Sequence, residues 1–185
     1  MNAPAYYDTR KLKSCGTDVR ISANVMIRRP ELVSIGNHVA IDDGFYCTTA
    51  LEIGDYVHIA PYTTIIGGSA ARCVIKNFGG VAAGCRLICA SEELKGAGLV
   101  GPLIPDRYHD KLVVAPIIIE KFATLGTNVV VMPGVTLGEG AQATVSAVVT
   151  RNLDPWGVYV GIPARKVGER PSQKMKAYAR EMGYV

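Results

Sequence analysis

Apolar residues recur at every sixth position along most of this chain. From Ile119 the step of six gives Leu125, Val131, Leu137, Ala143 and Val149, and four residues after each lead stand Ala123, Val129, Val135, Ala141, Ala147 and Leu153. Upstream, Ile35, Ile41, Cys47, Ile53, Ile59 and Ile65 keep the same step, with Val39, Phe45, Leu51, Val57, Thr63 and Ser69 four residues later. After a break near Ala71 the series resumes at Ile75, Val81 and Leu87. Thirteen of these fifteen leads are Ile, Leu or Val, so the pattern marks a buried set. A helix would repeat its apolar residues at spacings of three and four, and a plain strand at two. A period of six fits short strands joined by tight turns, with three hexapeptides making one coil of a parallel β-helix. Coils of that kind stack about 4.8 Å apart, so like residues form ladders. Pro133-Gly134, which would end an ordinary strand, turns the chain at a corner instead.

The hexapeptides, together with "VVMPGVTLGEGA" and the later "DPWGVYVGIPARKVGER", resemble the left-handed β-helix acyltransferases over about Ile21 to Arg170. The fold expected is therefore an all-β solenoid, a left-handed parallel β-helix. The hand comes from the resemblance, because ordinary parallel crossovers have the opposite hand. The resemblance also implies a homotrimer and acetyl-CoA as co-substrate.

The pattern divides the chain into an N-terminal cap over 1–20, a solenoid over 21–154 with an inserted loop over 93–118, and a C-terminal extension over 155–185. Tyr6 to Lys13 reads as a short helix or cap. The repeat fails from "EELKGAGLVGPLIPDRYHDKLVVAP" up to Ile119. That segment is too long for a corner, which points to function. "PSQKMKAYAREMGYV" reads as a terminal helix, with Met175, Tyr178 and Met182 as its packing face against the coil end or a neighbouring subunit.

Composition adds exclusions. A chain of 185 residues, 49% hydrophobic and 19% charged, suits one ordered domain with a real core. A net charge of +4 helps attract phosphorylated ligands, but no arginine-rich run or interleaved aromatic patch suggests nucleic acid. The longest apolar stretch, Leu112 to Ile119, is too short to span a membrane. Five cysteines without a pair of CxxC motifs read as small buried hydrophobes in a reducing, cytoplasmic compartment, with no secretory signal expected.

Acyl transfer from a thioester needs a base for the acceptor, stabilisation of the developing oxyanion, and alignment of both substrates. A neutral imidazole suits the first task. Of the three histidines, His58 in "VHIAPY" is the first candidate base, and His109, beside Asp106 and Asp110 on the inserted loop, is its rival. Glu93, from the acidic pair Glu92-Glu93, is expected to orient an imidazolium or bind an ammonium group. His58 and Glu93 lie about two coils apart by counting, so their contact is expected only across a subunit boundary. His38, His58 and His109 are too scattered for a three-imidazole zinc site, and no metal is expected.

The resemblance, carried over residue by residue, selects Gly126, Thr127, Ala147, Thr150, Arg151 and Arg165 for the donor. Arg151, Arg165 and Lys166 suit the phosphates of coenzyme A. Thr144-Val145-Ser146 departs from the Gly-Ala-Gly usual in the family, and Thr124 stands where galactoside-type members carry tryptophan. The function expected is transfer of an acetyl group to a hydroxyl or amine of a sugar or nucleotide-sugar in surface polysaccharide synthesis. Acetylation of a xenobiotic or antibiotic, and a non-catalytic hexapeptide scaffold, remain as alternatives.

Overall fold

The structure, a computed structural model, describes residues 6–184; residues 1–5 of the expected cap lie outside it. The chain winds as a left-handed parallel β-helix of triangular cross-section. Three ribbon-like parallel sheets form its faces. The first holds Ser14–Cys15, Val33–Ile35, Ala50–Ile53, Arg72–Ile75, Ile117–Ile119 and Thr136–Leu137. The second holds Arg20–Ile21, Ala40–Ile41, His58–Ile59, Gly80–Val81, Thr124–Leu125 and Gln142–Ala143. Gly157–Val160 extends it, and Arg165–Glu169 closes it as an antiparallel strand. The third runs from Met26–Ile27 through Tyr46–Cys47, Thr64–Ile66, Arg86–Ile88 and Val130–Val131 to Val148–Val149.

Stacking explains the period. Each lead residue lies directly over its equivalent one coil away, as in Ile53 with Ile75 and Ile75 with Ile119. All fifteen leads are buried, and so are the residues two before them, such as Leu51, Val57 and Val129. Full burial of an Ile or Leu contributes about 1.5–3 kcal/mol, and this ladder supplies the only continuous apolar interior such a narrow solenoid has.

Four expectations need correction. The first coil starts at Ser14, which pairs with Ser34, so the solenoid begins inside the segment expected to be a cap. The short N-terminal helix is a single 3₁₀ turn, Thr9–Lys11. Ser69 is exposed, because four extra residues at the corner shift the frame and Cys73 takes the place opposite Leu51. The terminal helix, Gln173–Glu181, does not cap the coil end. It lies along the edge between the first and second faces, burying Ala179 and leaving Tyr178 and Met182 about half exposed. Lys176 pairs with Glu139 at 2.8 Å, and the Tyr184 hydroxyl donates to Asp55 at 2.9 Å.

That edge carries a column of rings: His38, Tyr56, Phe78 and Phe122 stand three residues after the first-face leads of four successive coils, and Trp156, two coils beyond Phe122, reaches back across Gly140 to meet it. The first three centroid separations, 4.5, 5.4 and 5.2 Å, follow the coil repeat, and Phe122 meets Trp156 in a tilted contact at 5.9 Å. Each residue has a φ between 56° and 63°, a left-handed turn conformation that stacking of the rings helps to offset.

The inserted segment leaves the corner between the third and first faces after Cys89. It opens with a small antiparallel ladder, Ala90–Glu92 against Leu112–Val114, and the solenoid resumes in register at Ile117.

Candidate active site

His58 sits on the second face, pointing outward from a strand whose next residue, Ile59, is locked in the core. Its Nε2 is 2.8 Å from Oδ2 of Asp42, which follows the strand one coil earlier. An imidazole that donates from Nε2 to a carboxylate keeps Nδ1 as the lone-pair nitrogen, the arrangement of a general base. Beside this pair the corner between the second and third faces is built from small residues. Ala60, Ala82 and Gly126 stack above Asp42, each donating its backbone N–H to the coil above. Gly126 is required there by packing: a Cβ would stand 2.7 Å from the Val145 nitrogen and 2.9 Å from the Thr144 carbonyl carbon.

The residues expected to bind the donor divide into two groups. Gly126 and the exposed Thr127 lie on that small-residue corner, where Ser146 N–H donates to the Thr127 carbonyl at 2.8 Å. Ala147, one coil on, is fully buried, and its N–H and C=O are both used by backbone bonds, so it shapes the corner from inside. Thr150, Arg151, Arg165 and Lys166 converge around a separate pocket of about 180 Å³, with Tyr159 and Ala164. Arg151 and Arg165 are exposed there, whereas Lys166 bonds Glu169 at 2.9 Å, which raises its pKa. Two guanidinium groups at one pocket provide fork-shaped donors suited to phosphate.

The inserted loop has its own electrostatics. His109 Nδ1 is 3.0 Å from the Asp110 carbonyl and Nε2 is 2.9 Å from the Gly101 carbonyl. Only an imidazolium donates to both, and these two bonds push the His109 pKa up. The acidic neighbour is Glu92, 3.9 Å from Nε2, and not Glu93. Glu93 instead bonds Lys111 at 2.8 Å and Lys95 at 3.1 Å, and these contacts hold its pKa below the ordinary carboxylate value. Both ring nitrogens of His109 are thus engaged within the loop. His58 and the loop occupy different edges of the prism, and a single chain does not bring them together.

No family profile matches the chain. Individual relatives do. The chain is 30% identical over 182 residues to dTDP-4-amino-4,6-dideoxy-D-glucose acyltransferase of Escherichia coli, spanning 93% of this chain and 92% of that protein. It belongs to the hexapeptide-repeat acyltransferases. Its fold matches AntD, an N-acyltransferase from Bacillus cereus solved with dTDP and 3-hydroxybutyryl-CoA, with a TM-score of 0.90, 29% identity and 97% of both chains covered. An AntD variant solved with dTDP-4-amino-4,6-dideoxyglucose and coenzyme A matches equally, with a TM-score of 0.90 and 29% identity over 98% of this chain and 99% of that one.

As an acyl-CoA-dependent acyltransferase, the protein carries an imidazole–carboxylate pair at one end of a small-residue corner and a basic pocket several coils away. Among the described residues, no cluster of His, Cys, Asp and Glu could hold a metal ion, and no helix is long and apolar enough to cross a membrane. Sequence reasoning selected His58 but missed Asp42. The available signal was that sixteen residues is close to one coil, which brings the end of one strand beside the next.

Proposed function

We propose that this acyltransferase moves an acyl group from acyl-CoA to the amino group of a nucleotide-linked amino sugar. The observation that carries the reading is the chain's near-complete likeness to AntD, solved with dTDP and an acyl-CoA. In this reading the pocket at Arg151 and Arg165 takes the coenzyme A phosphates. Pantetheine follows the corner past Gly126 and Thr127 towards His58. With the acceptor ammonium having released one proton to solvent, the amine attacks the thioester carbonyl, His58 Nδ1 takes the proton that nitrogen loses as the C–N bond forms, and the imidazolium gives it to the departing thiolate as the C–S bond breaks. Asp42 orients the ring and stabilises its charged form.

The loop completes the acceptor side from a second copy of the chain, in a closed homotrimer. Support comes from its exposed apolar residues Leu94, Leu99, Leu103 and Tyr108, with Leu103 94% exposed; such a cluster suits burial against a partner. Glu92 and Glu93 then face the acceptor amine. The product is a building block for surface glycan synthesis, made in the cytoplasm.

Calorimetric titration with acetyl-CoA tests the donor half, and acyl transfer to dTDP-4-amino-4,6-dideoxyglucose tests the acceptor half. Saturable binding weakened by Arg151→Ala and Arg165→Ala, with product formed, is the expected result. Absence of binding at millimolar donor would overturn the reading in favour of a non-catalytic scaffold. A light-scattering mass other than three chains would overturn the trimer alone.

A further inference from the structure

The second face presents one side chain outward per coil, and in order these are Arg20, Ala40, His58, Gly80, Thr124 and Gln142. Gly80 is the single glycine among these six. Its φ lies outside the left-handed region, and a Cβ there would meet only the Thr124 γ-methyl, at an ordinary 3.4 Å. The adjacent Gly79 is different, since a Cβ would press to 2.8 Å from Ile75 Cγ2. Neither conformation nor packing therefore asks for glycine at position 80. Glycine inside a strand weakens it, and often marks close approach by a ligand or another backbone.

The missing side chain leaves a notch with defined walls. Its floor is His58, whose imidazole turns towards Asp42 of the preceding coil and away from the Gly80 rung. Its ceiling is Thr124, with Oγ1 bonded by Arg170 Nη1 at 3.3 Å and the γ-methyl facing the notch. Ala82 adds a second small residue beside it. A methyl ceiling two rungs above the imidazole, with only Gly80 between, suits an alkyl group better than a charged one.

The geometry points to Gly80 as the residue that sets which acyl group is accepted: the notch receives the alkyl portion of the donor's acyl chain beyond the thioester carbonyl. This inference rests on the proposed reading, in which that carbonyl lies beside His58. A chain longer than acetyl enters the space a side chain would fill, whereas acetyl does not need it.

The test compares kcat/KM for acetyl-, propionyl-, butyryl- and 3-hydroxybutyryl-CoA in the wild type, Gly80→Ala and Gly80→Val, with dTDP-4-amino-4,6-dideoxyglucose as acceptor. Each methylene a pocket admits or rejects changes kcat/KM by about 10–200-fold. Gly80→Val should accordingly lower the butyryl-to-acetyl ratio by at least tenfold while acetyl transfer changes only a few-fold. Gly80→Ala should lie between, with an unchanged or higher Tm. An unchanged donor ratio in both variants overturns the inference and leaves the acyl-transfer reading intact. Equal loss with every donor, accompanied by loss of self-association, also overturns it and makes the notch a seat for a neighbouring chain's backbone. A wild type that transfers no acyl group removes the reading itself and the inference with it.

Discussion

His58 and Asp42, on consecutive coils, form an imidazole–carboxylate pair at 2.8 Å that leaves Nδ1 of the ring unbonded to the carboxylate. The pair is partly exposed, at 59% and 42% of their side chains, so it contributes little to stability. Its effect should therefore be visible in turnover. His58→Ala is expected to lower kcat by about 10²–10⁴-fold, the usual contribution of a positioned base. Asp42→Asn should cost less, because the ring and its lone pair remain. Steady-state kinetics with calorimetry checks this: the Kd for acetyl-CoA should stay within a few-fold of wild type in both variants.

Protonation of His109 should clamp the inserted loop. The carbonyls of Asp110 and Gly101 favour the charged ring and raise its pKa, with Glu92 and Asp106 adding to the same direction. A group whose pKa is raised by folding stabilises the folded state fully below its unfolded value, and that contribution disappears as pH rises through the folded value. Exchange protection of the Leu99 and Asp110 amides, which bond across the loop to Tyr108 and Leu99, should be greatest in mild acid. It should fall above the His109 pKa, and His109→Gln should abolish the dependence.

Thiol chemistry offers a direct check on the interior. Cys47, Cys73, Cys85 and Cys89 are buried, and burial pushes the Cys47 pKa up to about 11. Cys73 is raised well above the ordinary thiol value by its contact with Cys89 and by burial. Thiolate is the reactive form. Native protein should therefore release at most one equivalent of chromophore with a disulfide reagent, from the half-buried Cys15, and five once denatured.

Tyr184→Phe should isolate one anchor of the terminal helix. The substitution keeps the ring edge against Tyr56 and Phe78, at 5.6 and 5.2 Å between centroids, and removes the hydroxyl that bonds Asp55. A lower Tm is expected, because the Asp55 carboxylate loses one of its hydrogen-bond donors. The Asp55 pKa, held down first by the Asn37 N–H and then by Tyr184, should rise towards normal in the variant. The bonds to Asp55 favour its ionised form, so wild type should lose this contribution only as pH falls through the depressed value.

Much of this fold was legible because its period belongs to the backbone itself. One short strand and one turn repeat every six residues, and burial of leads such as Ile59 and Val131 follows directly. The frame failed where length changed without a hydrophobic cue: "GGSA" before Ala71 moved Ser69 outward and Cys73 inward. The aromatic column went unread although His38, Tyr56, Phe78 and Phe122 all stand three residues after a lead, because outward rings look like ordinary surface residues in a single coil. The helix face that packs within the chain was missed for a related reason. Tyr178 and Met182 have the right spacing, but the partner is a stack of rings reached by Ala179 and Tyr184. At the site, residue types were readable while partners were not, since Asp42, Glu92 and the two carbonyls that hold His109 become neighbours only through winding and loop closure.

The register across the inserted segment has a wider meaning. Val74 still meets Ile118, and Leu87 still meets Val131, with the whole excursion between them. The solenoid behaves like ruled paper on which a long interlinear note has been written without moving any line. The stability of the stack and the chemistry of the note are thus nearly independent variables. In the proposed reading, one acceptor could be exchanged for another by rewriting residues 90–116 while the core and its corners remained as they were.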